Sequence, residues 1–172
     1  MRLFIAINFT NKTHLQLLVL CDELRLRSER GRFSLPENLH LTLTFLGECD
    51  EKQTSAVKSV INNIRFEPFY IEIDHIGRFK RNSGDTWWAG VRKDNALLEL
   101  QQNLTSGLRS RGFNLETRKY NPHITLGREV RTDLVPRQIE PFSEAVSLIY
   151  LMKSELINGK LTYTAIHNSM LY

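Results

Sequence analysis

A chain of 172 residues has room for one compact domain or for two small lobes that share a cleft. Apolar residues make up 41% and charged residues 24% of it, which excludes an intrinsically disordered chain. No segment approaches the roughly 18 consecutive apolar residues of a membrane span, and residues 1–8 are too short for a signal sequence, so we expect a cytoplasmic protein without a membrane partner. The net charge of +4 favours anionic partners, nucleic acid among them.

The first half of the chain alternates between strand and helix patterns. An apolar run predicts a strand over residues 2–8, and apolar residues at three- and four-residue spacing predict a helix around residues 17–24. A second strand is expected over residues 39–47. Asp50 is a suitable N-cap for the next helix because Gln53 occupies the capping-box position.

The second half of the chain predicts hairpins around one more helix. The strands are expected over residues 67–76, 86–91, 120–128, 145–156 and 161–166. Turn residues at 82–85 and at Asn158-Gly159 join neighbouring strands, and a helix begins near residue 94 and ends at Gly112. Because hairpins imply antiparallel pairing, we expect an α+β fold rather than a doubly wound parallel sheet.

The densest run of positive charge follows the first helix. It consists of Arg25, Arg27, Arg30 and Arg32. Two interpretations are open, namely the solvated end of that helix and a patch that binds RNA.

Two copies of one short pattern lie 83 residues apart. Residues 40–43 read HLTL and residues 123–126 read HITL, so each copy has a histidine, an apolar residue, a threonine and an apolar residue. Alternate residues of a strand face the same side. Each copy therefore offers an imidazole and a hydroxyl on one surface, while its apolar residues anchor the strand to the core.

The chemistry of these side chains favours a phosphodiesterase site. Two imidazoles near neutral pKa, those of His40 and His123, can act as acid and base. The hydroxyls of Thr42 and Thr125 lie about 6–7 Å along the strand from the histidine of their own motif, a distance suited to binding the non-bridging phosphate oxygens. The alternative is that the threonines are ordinary strand residues and that both histidines are half-buried sheet residues with satisfied hydrogen bonds.

With these motifs the chain resembles the two-histidine (2H) phosphoesterase superfamily, and within it the bacterial and archaeal RNA 2',3'-cyclic phosphodiesterases once named 2'-5' RNA ligases. The resemblance rests on residues 2–7, 38–47 and 122–128 and extends over essentially the whole chain. It implies a bilobal α+β fold in which two pseudosymmetric, mostly antiparallel sheets with flanking helices surround a central cleft. Residues 1–172 would form a single domain of two intertwined lobes, each carrying one HxTx motif.

The resemblance also implies an activity, the hydrolysis of an RNA 2',3'-cyclic phosphate end to a 2'-phosphomonoester. His40 would be the general acid that protonates the leaving ribose oxygen, and His123 the general base that activates water. Run backwards on a 5'-hydroxyl, the same chemistry would give a 2'-5' linkage. Arg128 matches an arginine that contacts phosphate, and Phe45 matches an aromatic that stacks on the terminal base. A surface salt bridge for Arg128 and a core position for Phe45 are the alternatives.

The same motifs define the expected partners and the competing functions. We expect an RNA with a 2',3'-cyclic phosphate terminus as substrate, no cofactor, no metal and a monomer. ADP-ribose 1'',2''-cyclic phosphate or a 2'-5' oligonucleotide stays open as substrate, because the motifs contact the phosphate rather than the base. A non-catalytic binder of RNA ends would predict one broken motif, and a metallohydrolase would predict HxH, HExxH or clustered carboxylates, none of which lies near either motif.

Overall fold

The computed structural model describes residues 1–170. Its strands are β1 (Arg2–Ile7), β2 (Ser28–Phe33), β3 (Leu41–Glu48), β4 (Phe69–Phe79), β5 (Asp85–Val91), β6 (His123–Thr132), β7 (Arg137–Val146), β8 (Leu148–Ile157) and β9 (Lys160–Met170). Its α-helices are α1 (Asn11–Leu26), α2 (Glu51–Asn63) and α3 (Asn95–Arg109).

Two sheets form the frame of the molecule. One has the strand order β3-β1-β8-β9 and combines strands from both ends of the chain, whereas the other has the order β2-β6-β5-β4-β7. Neighbouring strands pair antiparallel in both sheets. The expected α+β class with antiparallel sheets and flanking helices is therefore confirmed.

Caps and apolar faces explain the helices. The side chain of Asp50 accepts from the backbone N–H of Gln53 at 2.7 Å, and the Gln53 side chain accepts from the backbone N–H of Asp50 at 2.9 Å, which confirms the expected capping box. Asp94 caps α3. The apolar faces of the helices join one buried cluster that draws on both sheets. None of the helices within residues 1–170 has the length and apolar character needed to cross a membrane.

The sequence-based prediction of strands missed β2 and β7. These are the two edge strands of the five-stranded sheet and carry few buried residues, none in β2 and two in β7, so neither shows the apolar alternation of a strand with a buried face. The interpretation of the arginine run as the end of a helix is wrong for Arg30 and Arg32. Helix α1 ends at Leu26, and these two arginines belong to β2.

Candidate active site

One cleft of about 610 Å³ brings together all the side chains that the sequence assigns to the site. These are His40, Thr42, Phe45, His123, Thr125 and Arg128. The first motif leads into β3 of the four-stranded sheet, and the second motif opens β6 of the five-stranded sheet. The two motifs therefore meet in one cavity although they lie in different sheets.

The two imidazoles are held in the same way. Nδ1 of His40 lies 2.7 Å from the carbonyl oxygen of Asn38, and Nδ1 of His123 lies 2.7 Å from the carbonyl oxygen of Asn121. A carbonyl oxygen can only accept, so Nδ1 of each ring carries the hydrogen and donates it. Nε2 then keeps the free lone pair of the neutral ring. An asparagine two residues before each histidine is the sequence signal of this arrangement, and the HxTx pattern alone does not include it.

Aromatic rings enclose His40. Its ring centroid lies 4.9 Å from that of the buried Phe4 and 5.1 Å from that of Tyr163, to which it is edge-on. Its Nε2 lies 2.9 Å from the hydroxyl oxygen of Thr42. Because the neutral ring accepts at Nε2, this hydroxyl donates to it, and the histidine and threonine of the first motif are already in contact in the free protein.

His123 has different surroundings. Its ring lies edge-on to Phe79 at 5.1 Å and 6.0 Å from the ring of Trp88. In the described part of the chain its ring has one hydrogen bond, the one at Nδ1. Nε2 of His123 is therefore free to accept a proton from a molecule in the cleft.

Burial lowers the pKa of both histidines. It is the main cause that brings the pKa of His40 to about 4, although the hydrogen bond to Asn38 opposes this shift. The positive charges of Arg128 and of a protonated His123 also lower the pKa of His40. Burial, followed by the charge of Arg128, lowers the pKa of His123 as well. Both rings are thus neutral at pH 7 in the free protein, and a bound phosphodiester anion would raise both pKa values.

Thr125 and Arg128 offer donors that none of the described residues uses. Neither the Thr125 hydroxyl nor the Arg128 guanidinium forms a hydrogen bond or an ion pair with another of the residues 1–170, so the salt-bridge alternative for Arg128 is wrong.

The backbone beneath the motifs is fixed by side chains. The hydroxyl of Tyr120 donates to the carbonyl of Thr42 at 2.7 Å, and that of Ser34 donates to the carbonyl of Thr125 at 2.7 Å.

Phe45 lies at the cleft with 63% of its surface exposed. The alternative of a core aromatic is therefore wrong. An exposed aromatic ring beside a phosphate site has a free face on which a base can stack.

Further cleft residues were not identified from the sequence. They include Tyr163, Phe79, Arg81 and Arg118. They come from strands and loops that carry no motif, so only the tertiary structure brings them to the histidines. Arg2, in the opening strand on which the family resemblance partly rests, also lines the cleft. With Arg128, these three additional arginines make the cleft electropositive and suit it to a phosphate.

The remaining histidines do not line the cleft. His75 bonds Asp74, His167 bonds Asn62, and His14 lies in α1, so the expectation that they are structural or exposed is confirmed. Within the described residues no group of three or more His, Cys, Asp or Glu side chains is close enough to hold a metal ion. The ligand set expected of a metallohydrolase is therefore missing from this part of the chain.

Comparison with known proteins agrees with this geometry. The family model described as the 2'-5' RNA ligase superfamily matches residues 14–157. The chain belongs to the 2'-5' RNA ligase superfamily. The family predicted from the two motifs is thus confirmed.

Proteins named RNA 2',3'-cyclic phosphodiesterase and a LigT crystal structure resemble the chain over most of its length. An RNA 2',3'-cyclic phosphodiesterase of Thermotoga maritima is 36% identical over 131 residues, which cover 74% of this chain and 70% of that protein. One of Archaeoglobus fulgidus is 28% identical over 167 residues, covering 93% and 94%. The crystal structure of E. coli LigT complexed with 3'-AMP matches with a TM-score of 0.88 at 28% identity and covers 99% of this chain and 97% of that one.

Proposed function

We propose that this chain is an RNA 2',3'-cyclic phosphodiesterase that opens the ring to a 2'-phosphomonoester by acid/base catalysis without a metal ion. One observation carries the proposal. Two imidazoles in one cleft are held in the same tautomer by matching backbone carbonyls, so Nε2 is the proton-transferring nitrogen of each ring, and in the free protein that of His40 accepts from the Thr42 hydroxyl. The names of the relatives support the substrate class.

The reaction assigns one proton transfer to each histidine. Nε2 of His123 accepts a proton from water while the water oxygen attacks phosphorus. The bond between phosphorus and O3' breaks, and protonated Nε2 of His40 donates its proton to O3'. The products are a 2'-phosphomonoester and a free 3'-hydroxyl, and proton exchange with solvent restores both rings.

The negative charge of the substrate favours the protonated form of His40, which takes its proton from solvent. Its pKa is about 4 in the free protein, so the ring is neutral before binding at pH 7. A cyclic phosphodiester brings one negative charge into a partly buried cleft, and it also offsets the positive charge of Arg128 that disfavours the imidazolium. Binding of the phosphodiester therefore raises the pKa of His40, so the ring becomes a protonated acid only in the complex with substrate.

Donors around the cleft stabilise the developing charge. The Thr42 and Thr125 hydroxyls and the Arg128 guanidinium, all of which line the cleft, would donate to the non-bridging phosphate oxygens, whose negative charge grows in the transition state. Protonation of Nε2 of His40 would free the Thr42 hydroxyl hydrogen for this role. Phe45 would stack on the terminal base. Each sheet contributes one imidazole and one hydroxyl, so we propose that both lobes of residues 1–172 act as one catalytic unit.

The same site could run the reverse reaction. A 5'-hydroxyl in the place of water would attack phosphorus and give a 2'-5' linkage. Because water is far more concentrated, hydrolysis is expected to dominate in solution. The monomeric state expected from the sequence stays a prediction.

The decisive experiment follows one oligonucleotide with a 2',3'-cyclic phosphate end in the presence of EDTA. We expect ring opening to a 2'-phosphate, with no loss of rate from the chelator, and no turnover by a folded His40→Ala/His123→Ala variant. Loss of activity in EDTA that zinc restores would disprove the metal-free mechanism. Persistence of the ring beside turnover of ADP-ribose 1'',2''-cyclic phosphate would move the proposal to that substrate, and binding without turnover of either would leave a binder of RNA ends.

A further inference from the structure

The edge of the five-stranded sheet next to the cleft carries arginines opposite arginines. Arg30 of β2 lies opposite Arg131 of β6, and Arg32 lies opposite Arg128. Like charges directly across an antiparallel pair destabilise the sheet. An arrangement that costs folding free energy in this way suggests an anionic partner that neutralises it.

A bulge in β6 puts these arginines on the cleft face. Arg128 and Arg131 are three residues apart and would face opposite sides of a regular strand. Glu129 has a φ of 54°, and the register of β6 against β2 shifts there, so both arginines lie opposite residues of β2 that share one face. Because Arg128 lines the cleft, this face continues the cleft to the edge of the sheet.

The protein neutralises little of this charge. Arg32 has an ion pair with Glu129 at 2.9 Å, yet 71% of its side chain is exposed. Arg30 donates to the backbone carbonyl of Ser83 at 2.9 Å, which orients it without cancelling its charge. Among residues 1–170, no carboxylate pairs with Arg30, Arg128 or Arg131.

We propose that Arg30, Arg32 and Arg131 form an arginine track that binds the phosphates on the 5' side of the cyclic end of an RNA strand. This inference rests on the proposed function and extends it from the terminal nucleotide to the strand that carries it. Arg30 and Arg32 are two residues apart in β2, about 6–7 Å along the strand. Arginines at that spacing can contact successive phosphates of an extended single strand.

Continuity with the catalytic cleft favours RNA over an acidic peptide as the partner. Arg128 lines the cleft and also lies opposite Arg32 of the track. An RNA strand whose last phosphate lies between His40 and His123 would therefore have its preceding phosphates close to the track. The exposed edge of β2 could also pair with the backbone of an acidic peptide. The experiment below separates these two partners.

The test compares two substrates that share the reacting group. One is a nucleoside 2',3'-cyclic phosphate, and the other is a ten-nucleotide RNA that ends in the same group. We expect Arg30→Gln/Arg131→Gln to leave kcat/KM for the mononucleotide unchanged and to lower kcat/KM for the ten-nucleotide RNA by about five- to tenfold, as for two lost exposed ion contacts. The slope of log Kd against log salt for this RNA should fall in magnitude by about 1.4, since each lost contact to a single strand contributes about 0.7.

A matched control removes the same charge elsewhere. Lys12→Gln/Lys52→Gln eliminates two exposed cations from α1 and α2 and should change neither substrate's kinetics beyond a small effect of net charge. Thermal unfolding adds a second measurement. Because opposed arginines repel each other, the Tm of Arg30→Gln/Arg131→Gln should be equal to or higher than that of the wild type at low salt.

Several results would overturn the track. These are an equal loss on both substrates, an equal loss in the control variant, an unchanged rate on the longer RNA, and binding of an acidic peptide that Arg30→Gln/Arg131→Gln weakens while the longer RNA binds both proteins equally. If the wild type opens neither ring, the proposed function fails instead. The track is then still tested by the Kd of a fluorescent 3'-phosphorylated RNA for wild type and variant, and equal values would refute it.

Discussion

The two halves of the cleft use the same motif in different surroundings. In the half built on the four-stranded sheet, His40 lies against Phe4 and Tyr163 and already bonds Thr42. In the half built on the five-stranded sheet, Nε2 of His123 has no hydrogen bond from the described residues, and neither has the hydroxyl of Thr125. The local sequence gives both imidazoles the same tautomer. Phe4 and Tyr163, which come from other strands, bury His40, and burial lowers its pKa to about 4.

This difference supports the proposed division of labour. A histidine whose charged form is strongly disfavoured in the free protein releases its proton readily once a phosphate has induced protonation, as a general acid must. A neutral histidine with a free Nε2 is suited to accept a proton from water. If the two halves differ in this way, substitutions in one half should change activity and pH dependence differently from the matching substitutions in the other.

The largest effect is expected from removing either imidazole. His40→Ala and His123→Ala should each lower the rate on an RNA with a cyclic end by at least about a hundredfold. A substrate with sulfur in place of the bridging O3' needs no proton on its leaving group, so it should restore the rate of His40→Ala and not that of His123→Ala. Single-turnover rates with both substrates measure this. Rescue of His123→Ala alone would exchange the two roles.

The stability of the protein should depend on pH through His40. Its folded-state pKa of about 4 lies below the ordinary value of 6.5, so the unfolded chain binds the proton more readily and stability is lost as pH falls from about 6.5 to about 4. This contribution amounts to about 2 kcal/mol between pH 7 and pH 4.5. Urea unfolding of His40→Gln should show a shallower pH dependence by that amount. An unchanged slope would show that His40 is not desolvated.

A smaller effect is expected from the threonines, with a difference between them. Thr42→Val and Thr125→Val should each reduce the rate by about tenfold, because each removes one donor to the phosphate. The Thr42 hydroxyl also stabilises the neutral form of His40. Its removal should therefore raise the pKa of His40 and shift the profile of kcat/KM to higher pH. Thr125→Val should leave the profile in place. Identical profiles for both variants would contradict the difference between the halves.

The smallest effect is expected at Phe45, at the exposed end of the first half. Phe45→Ala should raise KM for the RNA by about fivefold through the loss of one base stack, with kcat and Tm unchanged. Phe45→Trp keeps an aromatic face and serves as the control. A loss of Tm in Phe45→Ala would show that the ring packs against the protein instead.

Local patterns predicted the parts of the fold whose determinants are close together in the chain. The capping box of Asp50 and Gln53 and the turn at Asn158-Gly159 were identified because each depends on a few consecutive residues. Strands β2 and β7 were missed because an edge strand is recognised by the neighbour with which it pairs, and that neighbour is distant in sequence. The same limit applies to Tyr163 and Arg81, which reach the cleft from segments without a motif.

The sequence by itself was enough to predict the proposed chemistry and the family, because alternation along a strand puts histidine and threonine on one surface in each motif. Only the tertiary structure decided which imidazole is the more deeply buried, how far its pKa falls and which arginines face one another beside the cleft. Burial and cross-strand pairing are set by residues far apart in the chain, and no local pattern records them.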